Sequence, residues 1–236
     1  MTGLPTPVAA LSMFPQYRAV QEAAGAERIH PADLWSVDWQ WRELPSDTSV
    51  PPRALDASTR SAMEGHLLGI MRTPHPTLAA ARMSEGCAGL GAAARDPQAA
   101  TLWKLASAVF EAQGQGLLGF DVFSKRMASR LLAQYRVLER GDNEVSERLA
   151  QDLLFFCAQS ASPGDGRRAP RLAAVRQVYG LAHHVPVDYN VSPLGRFDPA
   201  MVVQARKRVA AAKESWSAVA GGELHRLTGL NEQFSL

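Results

Sequence analysis

The sequence predicts an all-α fold, a multi-helix bundle, and its composition carries that prediction. The 236 residues include 38 alanines, the residue with the highest helix propensity, but only two isoleucines. Side chains with a branched β-carbon favour strands, so their scarcity argues against a sheet. Hydrophobic residues make up 46% of the chain and charged residues 20%, which indicates a globular protein and excludes a disordered one.

Capping residues and apolar periodicity place the helices along the chain. Asp56 is a predicted N-cap, and Asp96 followed by Pro97 begins another helix, which the glycine-rich segment 114–119 interrupts. The apolar stripe of 144–160 is wide enough to predict a central, buried helix. The predicted helices cover residues 15–24, 56–72, 77–93, 97–113, 120–139, 144–160, 170–179 and 199–220.

Two segments depart from the helical pattern. Trp35, Trp39 and Trp41 alternate with polar residues and are followed by prolines, so we expect a short turn and then extended chain that the tryptophans pin to the bundle. Residues 160–168, SASPGDGRR, contain no large apolar side chain. They are a candidate sub-boundary within one helical domain spanning 1–236.

The last long helix, 199–220, carries an apolar stripe that we expect to face the core. Its members recur at helical spacing: Met201, Val202, Ala205, Val209, Ala212, Trp216 and Val219. The run ELHRLTGLNEQFSL that follows stops in mid-pattern, which indicates a fragment of a longer chain.

Positive charge is concentrated in the last third of the sequence. Residues 162–213 contain nine basic and three acidic residues, although the whole chain carries only +2. A basic face is suited to an acidic partner surface, while the alternative is an ordinary solvated helix face. The aromatic residues that a groove for single-stranded nucleic acid uses are not interleaved with these charges, so we predict no nucleic-acid partner. The candidate contacts are Arg167, Arg168, Arg206, Lys207 and Arg208.

Sequence motifs for catalysis and cofactor binding are missing or in the wrong context. Gly114, Gly116 and Gly119 match G-x-G-x-x-G, but a helix precedes them where dinucleotide binding needs a strand, and glycine at a helix end explains them better. No histidine or cysteine spacing fits a metal site, no nucleophile motif occurs, and Cys87 and Cys157 lie in apolar helical sequence. We predict no metal, cofactor or small-molecule substrate, a cytoplasmic location and no membrane span.

One histidine fits part of a phosphotransfer motif. His225-Arg226-Leu227-Thr228-Gly229 follows H-x-L-K-G except that threonine replaces the lysine. Phosphoryl transfer depends on positive charge at the developing phosphoryl oxygens, so this departure argues against a working phosphoacceptor.

Long stretches of the sequence resemble one family. FPQYRAVQEAAGAERIHPADLW (14–35), KRMASRLLAQYRVLERGDNEVSERLAQDLLFFCAQS (125–160) and PLGRFDPAMVVQARKRVAAAKESWSAVAGG (193–222) are similar to the N-terminal region of hybrid histidine kinases of type IV pilus chemosensory systems, the ChpA/PilL type. This region is shared with the FimL scaffold protein and is of the FimL second-domain kind. The resemblance implies a phosphotransfer-like bundle without its phosphoacceptor.

The resemblance leads to three hypotheses. The first is a non-catalytic regulatory or scaffold segment in twitching-motility signalling, which docks a response regulator or polar hub protein, or the kinase domains of its own parent chain, at the cell pole. The second is a degenerate phosphotransfer domain that uses His225 in a phosphorelay. The third is a structural spacer without outside partners. The longer protein from which the segment comes is expected to be either a hybrid histidine kinase or a stand-alone scaffold. The segment itself is predicted not to be an enzyme.

Overall fold

The chain divides into two compact units, residues 1–191 and residues 192–236. The computed structural model describes residues 10–73, 76–164, 168–181, 184–191 and 199–221. Helices and short 3-10 turns, and no strands, make up the regular structure of these residues, which confirms the all-α prediction.

Eight α-helices lie in the described part of the chain, and each coincides with a predicted helix to within a few residues at either end. Short 3-10 turns precede and follow the first of them, at Ala10–Met13 and Pro31–Leu34. The helices are α1 Phe14–Ala23, α2 Ala57–Arg72, α3 Thr77–Ala93, α4 Pro97–Gly114, α5 Val122–Glu139, α6 Glu147–Gln159, α7 Pro170–Val178 and α8 Pro199–Ala220.

Local capping chemistry sets the helix starts. The Asp56 carboxylate accepts the Thr59 backbone N–H at 2.8 Å, and the Asp96 carboxylate accepts that of Ala99 at 2.7 Å. Both bonds satisfy backbone donors that a helix start leaves without partners. Gly116, just after α4, has a φ of +69°, which confirms that glycine there permits a left-handed turn between helices.

Five helices of the first unit pack as a closed ring. Helix α3 lies between α2 and α4, α6 packs between α4 and α5, and α5 returns to α2. Helix α7 packs against α4 and α6. Every side chain of α6 from Leu153 to Ala158 is fully buried, which confirms the central helix predicted there. Trp103 of α4 meets Tyr135 of α5 edge-on, with ring centroids 6.0 Å apart.

Helices α3 and α4 approach each other closely through small residues. The Ser84 hydroxyl donates to the Ser107 carbonyl at 2.7 Å, and the Ser107 hydroxyl donates back to the Ser84 carbonyl at 3.0 Å. A β-carbon on Gly114 would lie 3.2 Å from backbone atoms of Ala81. The small side chains of α3 therefore serve contact with α4 as well as helix propensity.

The tryptophan-rich extended segment, residues 35–55, crosses the bundle as a strap. Trp39 stacks on Tyr179 with the two rings 8° from parallel, and Trp35 packs against the edge of Phe155. The Arg53 backbone N–H donates to the Gly89 carbonyl at 2.9 Å. The predicted pinning of this segment is confirmed, and its three tryptophans are half-buried against the core.

The strap leaves no room for a side chain at one glycine of α3. A β-carbon on Gly89 would lie 2.7 Å from Arg53 Cγ and 2.8 Å from the Pro51 carbonyl oxygen. We expect Gly89→Ala to lower the free energy of unfolding by about 1–3 kcal/mol, because the strap must move. Gly86→Ala on the same helix, where a β-carbon meets no atom within 4 Å, should instead raise it by about 0.5–1 kcal/mol. Urea unfolding tests the pair, and equal effects would contradict the close contact.

The candidate linker at 160–168 lies inside the first unit, and the boundary between units falls between residues 191 and 192. The Ala161 backbone N–H donates to the Leu117 carbonyl at 2.7 Å, and the Arg176 guanidinium donates to the Ser160 carbonyl at 2.8 Å. These bonds hold the start of the segment to its surroundings although its composition is typical of a linker.

The prediction that the stripe of α8 faces the core is wrong for most of its described members. Val209 and Trp216 are 65% and 66% exposed, Ala205 is exposed as well, and Ala212 is buried. The side chains of Met201, Val202 and Val219 lie outside the described residues. Helical periodicity establishes that such residues share a side of the helix, but not that another element covers that side.

Candidate docking surface

The exposed side of α8 carries apolar and basic rows next to each other. Val209 and Trp216 are seven residues apart, so two helical turns place them on the same side. Arg206 and Lys213 are also seven residues apart, and each lies about 60° around the axis from a member of the first pair. We call these four residues the α8 face. All four side chains are exposed, so the face presents a large aromatic group beside two cations.

The three consecutive cations predicted as contacts do not form one patch. Arg206, Lys207 and Arg208 are all exposed, but successive helix residues point about 100° apart. Lys207 lies on the side of α8 opposite Val209, and Arg208 lies about 100° from Val209 in the direction away from Arg206, so Arg206 is the one of the three that shares a row with Lys213. Sequence reasoning left out Lys213, although its heptad spacing from Arg206 was visible. Among the described residues, no carboxylate forms an ion pair with these cations.

Of the two remaining predicted contacts, Arg168 is the one that the structure describes. Arg168 is exposed and directly precedes α7 in the first unit. Arg167 and the candidate phosphoacceptor His225 lie outside the described residues, so their assignments remain predictions.

A second charged site, which sequence reasoning missed, surrounds a buried aspartate of α6. Asp152 is 1% exposed, and Arg28 donates to its two carboxylate oxygens at 2.8 and 3.2 Å. Arg130 of α5 donates to the same carboxylate at 3.2 Å, and Arg148 pairs with the neighbouring Asp33. We call this group the Asp152 cluster; its members are Arg28, His30, Asp33, Arg130, Arg148 and Asp152. An aspartate within the apolar stripe of α6 was the one sequence signal for it.

The buried histidine of the Asp152 cluster is held neutral. Its Nδ1 accepts the Ala32 backbone N–H at 3.1 Å and lies 3.7 Å from Asp152. Burial first, and then the positive charge of Arg28 and other nearby arginines, lowers the pKa of His30 to about 3. Burial raises the pKa of Asp152, although its arginine partners act in the opposite direction.

The thiols of the chain are placed for packing. Cys87 and Cys157 are both fully buried, and burial raises the pKa of each well above its usual value, so the reactive thiolate is disfavoured. Within the described ranges, no three His, Cys, Asp or Glu side chains gather as they would around a metal ion. In the same part of the chain, no helix has the length and apolar character needed to cross a membrane.

Comparison with known proteins identifies the first unit. A family model described as the FimL scaffold protein second domain matches residues 48–192, more than half of the chain. The chain belongs to this family. The FimL match takes in α2 to α7 with the ring of five helices, whereas α8 lies beyond it. No curated protein and no solved structure matches the chain. Membership of the FimL family confirms that part of the predicted resemblance, and the relation to ChpA/PilL-type kinases remains a prediction.

Proposed function

We propose that this chain is a non-catalytic scaffold segment that docks protein partners in a type IV pilus chemosensory system. It acts in the cytoplasm at the cell pole, and its partner is a response regulator or a polar hub protein, with the kinase domains of a parent chain as further neighbours. The FimL scaffold family supports the scaffold role. The pilus context, the location and the partners are part of the proposal.

The observation that supports the docking mechanism is the exposure of Trp216 beside cations that form no ion pair within the described ranges. Tryptophan and arginine are the residues most often responsible for binding energy at protein interfaces. Trp216 is 66% exposed, and Arg206 and Lys213 flank its row on α8. Such a face fits a partner with an acidic rim around an apolar pocket, because opposite charges orient the approach and burial of the ring holds the complex.

Binding to the response regulator of the same chemosensory system, measured by calorimetry, tests this mechanism. We expect Trp216→Ala, and separately the pair Arg206→Glu and Lys213→Glu, to weaken binding at least tenfold. Lys207→Glu is the matched control, because it reverses a charge on the opposite side of the same helix. Equal affinity in all variants would reject the α8 face as the contact. Recovery of the parent chain's own domains alone in a pull-down would favour the structural spacer.

A further inference from the structure

A cavity of about 210 Å³ lies beside the Asp152 cluster. One wall is the segment from Glu27 to His30, and the other is α5, with Asp152 of α6 completing the lining. The α5 wall contributes two arginines, Arg126 and Arg130, and the apolar side chains of Phe123 and Met127.

The carboxylates of the cluster already have their partners. Asp152 accepts hydrogen bonds from Arg28 and Arg130, and Arg148 is a further cation 3.9 Å away. Asp33 accepts the His30 backbone N–H at 3.0 Å and pairs with Arg148 and Arg28. The carboxylates of the cluster are therefore occupied by protein donors, whereas Glu27, which also lines the cavity, is exposed and forms no ion pair among the described residues.

Donors, by contrast, are left over among the residues that line the cavity. His30 Nε2 is buried and forms no hydrogen bond within the described structure, whereas Arg28 Nε lies 3.5 Å from the Asp33 carboxylate. Because His30 Nδ1 accepts a backbone N–H, the proton of the neutral ring resides on Nε2, which makes this atom a donor. Arg126 is exposed and has no ion-pair partner among the described residues. Buried donors without acceptors are rare and call for a specific explanation.

We propose that this cavity binds a small oxyanion of the phosphate class. Most oxygens of such a ligand are acceptors, which suits the donors that face the cavity, and arginine guanidinium groups bind its oxygens by paired, charge-assisted hydrogen bonds. Arg126 supplies a cation that forms no ion pair among the described residues, and His30 Nε2 supplies a donor from the facing segment. The cavity shares no residue with the α8 face, so the phosphate test and the docking test can each fail without affecting the other proposal.

Titration of the full chain with sodium phosphate, against sodium chloride at equal ionic strength, tests the site by NMR. We expect saturable amide shifts confined to residues 27–30, 126–130 and their neighbours. Arg126→Gln should raise the phosphate Kd at least fivefold, while Arg126→Lys should recover part of the affinity. Arg95→Gln is the control, because it removes one exposed arginine charge away from the cavity and should change the Kd less than twofold.

Two results would overturn the proposal. The first is a set of amide shifts that spreads over the whole chain, or that Arg126→Gln and Arg95→Gln weaken to the same extent. Either pattern would indicate general charge screening and not a site. The other is sodium acetate producing the same shifts with the same Kd as phosphate, which would reject the phosphate class. Arg126 forms no ion pair in the described structure, so its variants should fold normally, and unchanged unfolding temperatures in chloride check this.

Discussion

Replacement of Asp152 by asparagine should lower the free energy of unfolding by about 3 kcal/mol. Removal of one partner from a buried ion pair costs about 3–5 kcal/mol, because the remaining charges lose their compensation. Here Arg28, Arg130 and Arg148 would keep their positive charges around a neutral amide whose NH₂ group can only donate. We expect the lower end of the range, since these three side chains are 29–52% exposed and can turn towards water.

The matched control for this substitution is Glu147→Gln on the same helix. It removes the same charge at an exposed position in the first turn of α6, so its cost should stay below about 0.5 kcal/mol. Urea unfolding at pH 7 compares the two variants with the parent chain. Equal and small losses would show that the Asp152 cluster contributes little to stability.

Acidification from pH 7 to pH 5 should destabilise the chain by about 2 kcal/mol through His30 alone. Because burial and nearby arginines lower its pKa from 6.5 to about 3, the unfolded chain binds a proton in this interval that the folded chain does not. The contribution of His30 is therefore fully present above pH 6.5 and is lost as the pH falls towards 3. Burial raises the pKa of Asp152, which gives a contribution of opposite sign.

The variant His30→Asn isolates this contribution. Asparagine is a good N-cap, so it can still accept the Ala32 backbone N–H, but it does not titrate. The variant will be less stable at every pH, because it loses the ring contacts with Phe123 and Phe155. The readout is the difference between pH 7 and pH 5, which should be about 2 kcal/mol smaller than in the parent chain. Identical pH dependence in the two proteins would mean that His30 is not held neutral by its surroundings.

Local chemistry explains why the helices were predictable. Asp56 and Asp96 cap the helices that follow them, and Pro97 occupies a first turn, because these preferences depend on a few neighbouring residues. The wide apolar stripe of α6 likewise indicated its central position, because a helix that is apolar over most of its circumference must be buried over most of it.

The candidate sites were less predictable, because they depend on distant residues. Arg28 and Asp152 are 124 positions apart, so nothing local in the sequence connects them. The cations of α8 could be recognised in the sequence. The three-dimensional structure was needed to show that they lie on different sides of the helix and that Trp216 beside them is exposed.

The helical class, the helix starts and the central place of α6 follow from the amino-acid sequence alone, since propensity, capping and periodicity act within a few turns of chain. The folded chain, by contrast, shows which apolar sides are covered, how the strap crosses Gly89 and which arginines converge on one aspartate. These features depend on burial and on charge contacts between remote segments, and their free energies exist only once the chain has folded.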